Sequence, residues 1–157
     1  MSRRNILALD LGTATGWATA SGGVIHASSV QRFPTLRFEG GGMRFLRFRR
    51  WLRDMLREVE ATEVVYEEVR RHVATDAAHV YGGFLAHMQA VCEENRVAYA
   101  GVPVQTIKKY ATGKGNAPKE AIIAAVRMWG RNPVDDNEAD AIALARYWME
   151  HGLSGVA

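Results

Sequence analysis

The chain has a single cysteine, Cys92, in 157 residues. No internal disulfide can form, which fits a reducing compartment, and no Cys–His pattern accompanies the thiol; a small buried residue on a helix is its expected role. Long apolar runs are missing too. The apolar stretches are short and broken by charge, and nothing resembles a signal peptide, so no membrane span is expected. Low-complexity sequence and internal repeats are absent, and 48% hydrophobic residues argue against disorder. The five histidines are scattered and give no HExxH zinc spacing. No G-x-S-x-G nucleophile elbow occurs, and "GKG" at 113–115 lacks the earlier glycine of a phosphate-binding P-loop. These gaps weigh against secreted disulfide scaffolds, zinc peptidases, serine hydrolases and P-loop enzymes.

What is present fits one domain, residues 1–157, with no linker to mark a boundary. The net charge is only +3, but the basic residues cluster: Arg44, Arg47, Arg49, Arg50, Arg53 and Arg57, then Arg70 and Arg71, then Lys108, Lys109, Lys114 and Lys119. Such clusters suit a phosphate-rich partner or a solubilising surface. Residues 5–10 and 14–20 read as a hairpin, and 22–31 as a third strand entered through Gly22 and Gly23. From Met43 to Glu60 the apolar residues Phe45, Phe48, Leu52, Met55 and Val59 recur at helical spacing. Strands are expected at 63–69 and 96–104, and helices at 75–95, 105–111, 117–130 and 136–150. The order β-β-β-α-β-α-β-α-α-α predicts an α/β fold with a mixed sheet covered by helices.

Carboxylates stand where a generic fold would not put them. Asp10 ends the first apolar strand of "LALDLGTATGWATA", where Asp is a poor strand residue. It serves either as a turn residue bonding its own backbone or as a ligand. Glu67 and Glu68 end the fourth strand, either as solvated charges or as part of a site. On "DDNEADAIALA", Asp136 and Asp140 are four apart and share a helix face, with Asn137 on the same side. Asp135 suits a helix cap; Asp140, in the second turn, does not. Like charges at that spacing repel unless a cation lies between them, and hard divalent cations take carboxylate oxygens. Carboxylates converging from two strand ends and one helix face suit a two-metal phosphoryl site. Lys119, in the first turn of a helix where the dipole disfavours a cation, is either placed for phosphate or an indifferent surface residue.

A strand ending in a carboxylate before a glycine turn opens both the two-lobed ATPases and the ribonuclease H-like nucleases; this chain is too short for the former. The ordered set "LALDLGTATGWA", "VVYEEV", "VPVQTIKKYATGKGNAPKEAI" and "NEADAIALA" resembles RuvC-type Holliday junction resolvases, in a short version of the kind phages carry. The resemblance covers nearly the whole chain. It implies a ribonuclease H-like mixed five-stranded sheet flanked by helices, and a homodimer that cuts four-way DNA junctions by paired, metal-dependent phosphodiester hydrolysis. It implies two Mg²⁺ per active site, with Mn²⁺ substituting, and action in the cytoplasm of a bacterial cell or phage-infected host. By the same resemblance Asp10 bridges the metals, Glu67 and Asp140 are ligands, and Lys119 lies at the active site. Where the family carries a carboxylate three before the last aspartate, this chain has Asn137, and Asp136 is the substitute. Where the family carries a junction-entering aromatic, this chain has Arg70. Arg70, Arg71, Lys108, Lys114 and Lys119 are the expected DNA contacts. The alternatives are a YqgF-type relative acting on RNA or simpler branched DNA, and a catalytically silent junction-binding module.

The dimer is expected to form on the 75–95 helix. Ala78, Tyr81, Leu85, Met88 and Cys92 follow helical spacing there, with Ala77, Ala86 and Ala90 on neighbouring faces. A sheet covers only one side of such a helix, so a second apolar side is expected to face a partner.

Overall fold

A computed structural model describes residues 3–152. Strand β1 (Ile6–Asp10) turns into β2 (Ala14–Ser21), which is joined to β3 (Val24–Arg32) by Gly22 and Gly23. Both glycines have positive φ, 59° and 79°, the backbone that a two-residue hairpin with native strand twist demands. The glycines form the turn itself, so β3 begins two residues later than the pattern predicts. Helix α1 (Met43–Glu58) leads to β4 (Glu63–Glu68), and α2 (Thr75–Glu94) to β5 (Ala98–Pro103). Three helices follow: α3 (Val104–Thr112), α4 (Lys119–Met128) and α5 (Asp136–His151). The five strands lie in the order β3-β2-β1-β4-β5, with β1–β2 and β2–β3 antiparallel and β1–β4 and β4–β5 parallel. This is the mixed five-stranded sheet flanked by helices expected from the sequence.

Side chains alternate across β1. Ile6 and Ala8 face a core made with α3, α4 and α5, whereas Leu7 and Leu9 face α1 and α2. Both sheet faces are therefore covered. On α5 the buried Ala139, Ala141, Ala143 and Ala145 allow a close approach to the sheet. The approach is tightest at Gly16 on β2, where a Cβ would lie 1.9 Å from the Asn137 carbonyl oxygen. A glycine of the opening stretch thus makes room for a helix backbone, while a Cβ on Gly12 would meet nothing within 4 Å. Gly83 does the same between helices, since its missing Cβ makes room for the Phe45 ring of α1.

Helix α2 departs from the expected face assignment. Tyr81, Met88 and Cys92 are buried in this chain's own core with Phe84 and Val91, because α1 and the sheet cover two sides of the helix. Leu85 is half-buried against the same core. The outward face carries small residues instead: Gly82, Ala86 and Ala90 are exposed. The Cys92 thiol is pushed up to about 12, chiefly by burial, as suits an inert core residue. Among the described residues no helix is long and apolar enough to cross a membrane.

Candidate metal centre

Pairing of β1 with β4 runs Leu9 to Tyr66, so the next residue on each parallel strand is a carboxylate, Asp10 and Glu67. Alternation turns both toward the α5 face, as it does Ala8 and Val65 before them. Helix α5 brings Asp140 to the same point. Carboxylate oxygens of Asp10, Glu67 and Asp140 all lie within 4.8 Å of one another. The turn after Asp10 is held by Thr15, whose hydroxyl donates to the Gly12 carbonyl at 2.7 Å. The end of β4 is held by Tyr81. Its hydroxyl donates to the Glu67 carbonyl at 2.8 Å and accepts from the Val69 amide at 3.2 Å.

The start of α5 divides its acidic residues by task. Asp135 caps the helix, accepting from the Glu138 amide at 2.9 Å. Glu138 is buried and accepts from the Val134 amide at 2.9 Å and the Ser28 hydroxyl at 2.7 Å. Those two carboxylates build the helix end; Asp136 and Asp140 face the cluster. Asp136 is not among the three gathered carboxylates: its Oδ2 lies 3.3 Å from the Lys119 Nζ. Its charge nevertheless acts on Asp10, Glu67 and Asp140.

The electrostatics follow from packing anions together away from water. Burial, and then the charges of Glu67, Asp140 and Asp136, hold the Asp10 carboxyl well above the usual range. Burial likewise raises Glu67 to about 8, with Asp140 adding and Lys108 opposing. Asp140 rises to about 7 through burial and Asp136, against Lys108, a bond from Asp10, and Lys119. Lys119 is itself raised by its bond to Asp136. Lys108, expected from the sequence only as a DNA contact, therefore also acts on the acidic cluster.

The other expected contacts are on the surface. Arg70 is exposed and bonds Glu68 at 2.8 Å, leaving Glu68 outside the cluster. Arg71 and Lys114 are exposed, Lys114 on the loop that follows the left-handed Gly113. Much of the basic face of α1 is engaged within the molecule: Arg49 and Arg53 bond Glu94, and Arg47 bonds Glu39. Three roles were not expected from the sequence: Tyr81 as a clamp on Glu67, Gly16 as the seat of α5, and Glu138 as a cap. The glutamate three after Asp135 was the legible signal for the last; the contacts of the first two join residues far apart in sequence.

No protein-family model and no curated protein matches this sequence. Solved structures match its fold. "T. thermophilus RuvC in complex with Holliday junction substrate" superposes with a TM-score of 0.77 at 22% identity, over 91% of this chain and 91% of that one. The structure described as "Thermus thermophilus RuvC structure" gives 0.78 at 22% identity, over 94% and 96%. The yeast mitochondrial Holliday junction resolvase Ydc2 gives 0.66 at 14% identity, over 93% and 78%. The chain has, over nearly its whole length, the fold of the RuvC-type Holliday junction resolvases.

Proposed function

We propose that this protein is a structure-selective DNA endonuclease that resolves four-way junctions by metal-dependent phosphodiester hydrolysis. The observation that carries the reading is the convergence of Asp10, Glu67 and Asp140 at the strand ends of a resolvase fold. The donor set fits a hard divalent cation. It is all carboxylate oxygen, and burial leaves its anions destabilised unless a positive charge joins them. Asp10, Glu67 and Asp140 would hold Mg²⁺, with Asp136 completing the set for a second ion and Mn²⁺ substituting. Bound there, the ions would supply Lewis-acid activation of water and charge stabilisation of the phosphoryl transition state.

The chain's own residues provide placement and field. Tyr81 fixes the backbone that carries Glu67, and Gly16 seats the helix that carries Asp136 and Asp140. Lys119 holds Asp136, and Lys108 tempers the negative field where a phosphate must enter. Arg70, Arg71, Lys108, Lys114 and Lys119 receive flanking phosphates, whose electrostatic attraction dominates such affinities.

The working form is a homodimer joined through the outer face of α2, where Gly82, Ala86 and Ala90 permit close approach. Two opposed strands must be cut to resolve a junction, and a two-fold protein matches a two-fold substrate. The chain acts as one nuclease domain, in the cytoplasm of a bacterial cell or phage-infected host. The test is incubation of purified protein with a labelled four-way junction, a three-way fork and RNA duplexes, with and without Mg²⁺. Cation-dependent cutting of the four-way junction is the expected result. Cutting of RNA alone transfers the reading to an RNA nuclease, and tight junction binding without cutting in any divalent cation leaves a silent binding module.

A further inference from the structure

The segment between β3 and α1 presents an aromatic ring to solvent at the edge of the sheet that carries the acidic cluster. Phe38 is 94% exposed, at the turn of this loop. Its φ is 69°, in the left-handed region that residues with a Cβ avoid. The other positive-φ residues with side chains among the described residues, Glu60 and Arg96, are polar and lie just beyond helix ends. Phe38 alone is apolar and stands away from any helix end. An exposed ring forfeits burial and a left-handed phenylalanine is strained, so neither feature serves the fold.

The surrounding bonds nevertheless hold that conformation. Glu39 accepts from the Leu36 amide at 3.0 Å, closing the turn around Arg37 and Phe38, and is itself gripped by the Arg47 guanidinium. Below the turn, Phe33 is buried against Phe48 and Trp51, and its amide donates to the Thr13 carbonyl at 2.7 Å. Arg44 ties the same base, reaching Thr13 Oγ1 at 2.6 Å and the Phe33 carbonyl at 3.1 Å. Thr13 lies in the turn that begins at Asp10. The loop is thus fastened to the lip of the acidic site with its aromatic tip outward. The ring is flanked by cations: the Arg37 guanidinium lies 5.0 Å from its centroid, and Arg32 at the loop's start is exposed.

We infer that Phe38 is a stacking platform for an unpaired or unstacked nucleobase at the branch of a DNA substrate, with Arg37 and Arg32 meeting the phosphates beside it. This rests on the proposed junction nuclease and adds to it a positioning residue outside the carboxylate site. Every base offers a π-face to such a ring, whatever its sequence. An apolar protein pocket would have to desolvate the neighbouring arginines, whereas a nucleotide pairs with both ring and charges.

The experiment measures affinity for a four-way junction and for an unbranched duplex of the same arms, in excess EDTA, together with melting temperature and oligomeric state. Phe38→Ala and Phe38→Gly should bind the junction about tenfold more weakly, from the loss of one stacked base, with duplex binding unchanged. Phe38→Trp should keep junction affinity. Phe38→Gly should also raise the melting temperature by relieving the left-handed strain, the opposite of what a structural phenylalanine would do. Junction affinity unaltered in Phe38→Ala and Phe38→Gly would overturn the inference. So would a shift of these variants toward monomer, which would make the ring a protein contact. If the wild-type protein shows no preference for junction over duplex, the junction-nuclease reading itself falls and takes this inference with it.

Discussion

Burial makes Asp10, Glu67 and Asp140 reluctant anions, and that reluctance has a measurable sign. Unfolded carboxyls titrate near 4, whereas Glu67 and Asp140 are raised to about 8 and about 7 in the folded chain. Between those limits the folded state binds more protons than the unfolded one, so stability falls as pH rises. The metal-free protein should therefore lose melting temperature from about pH 5 to pH 8 in EDTA, the window set by these shifts. Saturating Mg²⁺ should restore more at pH 8 than at pH 6, because protons compete with the cation; a flat metal-free profile would contradict the buried cluster. Glu67→Gln in EDTA should melt higher at pH 8, by about 2–4 °C for each kcal/mol of repulsion relieved. The individual carboxylates were legible because each broke a local rule: an aspartate in an apolar strand, a glutamate at a strand end, an aspartate in the second helical turn. Their mutual distance was not, since it depends on the register of β1 against β4.

Helix α5 is the element that completes the site, and a single missing Cβ on β2 sets its seat. Gly16→Ala would drive a methyl into the Asn137 carbonyl, 1.9 Å away, against backbone on both sides. Such overpacking costs about 1–3 kcal/mol, and the displacement of Asp136 and Asp140 should lower junction cleavage about a hundredfold. Thermal melting and single-turnover cleavage check the two halves of this prediction; a variant with wild-type values in both would show that α5 sits elsewhere. Tyr81→Phe removes the bonds to the Glu67 carbonyl and from the Val69 amide and should cost about 1 kcal/mol, with a fall in cleavage rate and little change in junction affinity. The helical and strand periods marked every element correctly to within two residues or so. What they could not show was which face of α2 looks outward, because that depends on α1 folding back over the same helix. Tyr81, Leu85 and Met88 share one helical stripe in the sequence; Tyr81 and Met88 lie in the core, and Leu85 is half-buried against it.

As a whole, the molecule separates internal from outward charge. Arg47, Arg49 and Arg53 are engaged by Glu39 and Glu94, whereas Lys108 and Lys119 act on the acidic cluster and Lys114 is exposed on the loop between α3 and α4. Neutralising those three lysines together should weaken junction binding and flatten its salt dependence by roughly one unit of slope per lost phosphate contact. The same triple substitution leaving the slope unchanged would remove the 108–119 segment from the interface. Ala86→Arg, on the exposed face of α2, should give monomers with a wild-type fold that nick single strands and rarely complete the paired cut. A wild-type protein that sediments as a monomer at micromolar concentration would contradict this arrangement. The most direct test of the central claim is single-turnover cleavage of an end-labelled four-way junction in Mg²⁺ by wild-type and Asp10→Asn proteins, with binding to the same junction measured alongside. Wild-type protein should cut two opposed strands, and Asp10→Asn should bind equally well and cut neither. Cleavage by Asp10→Asn at the wild-type rate, or wild-type cleavage in excess EDTA, would contradict it.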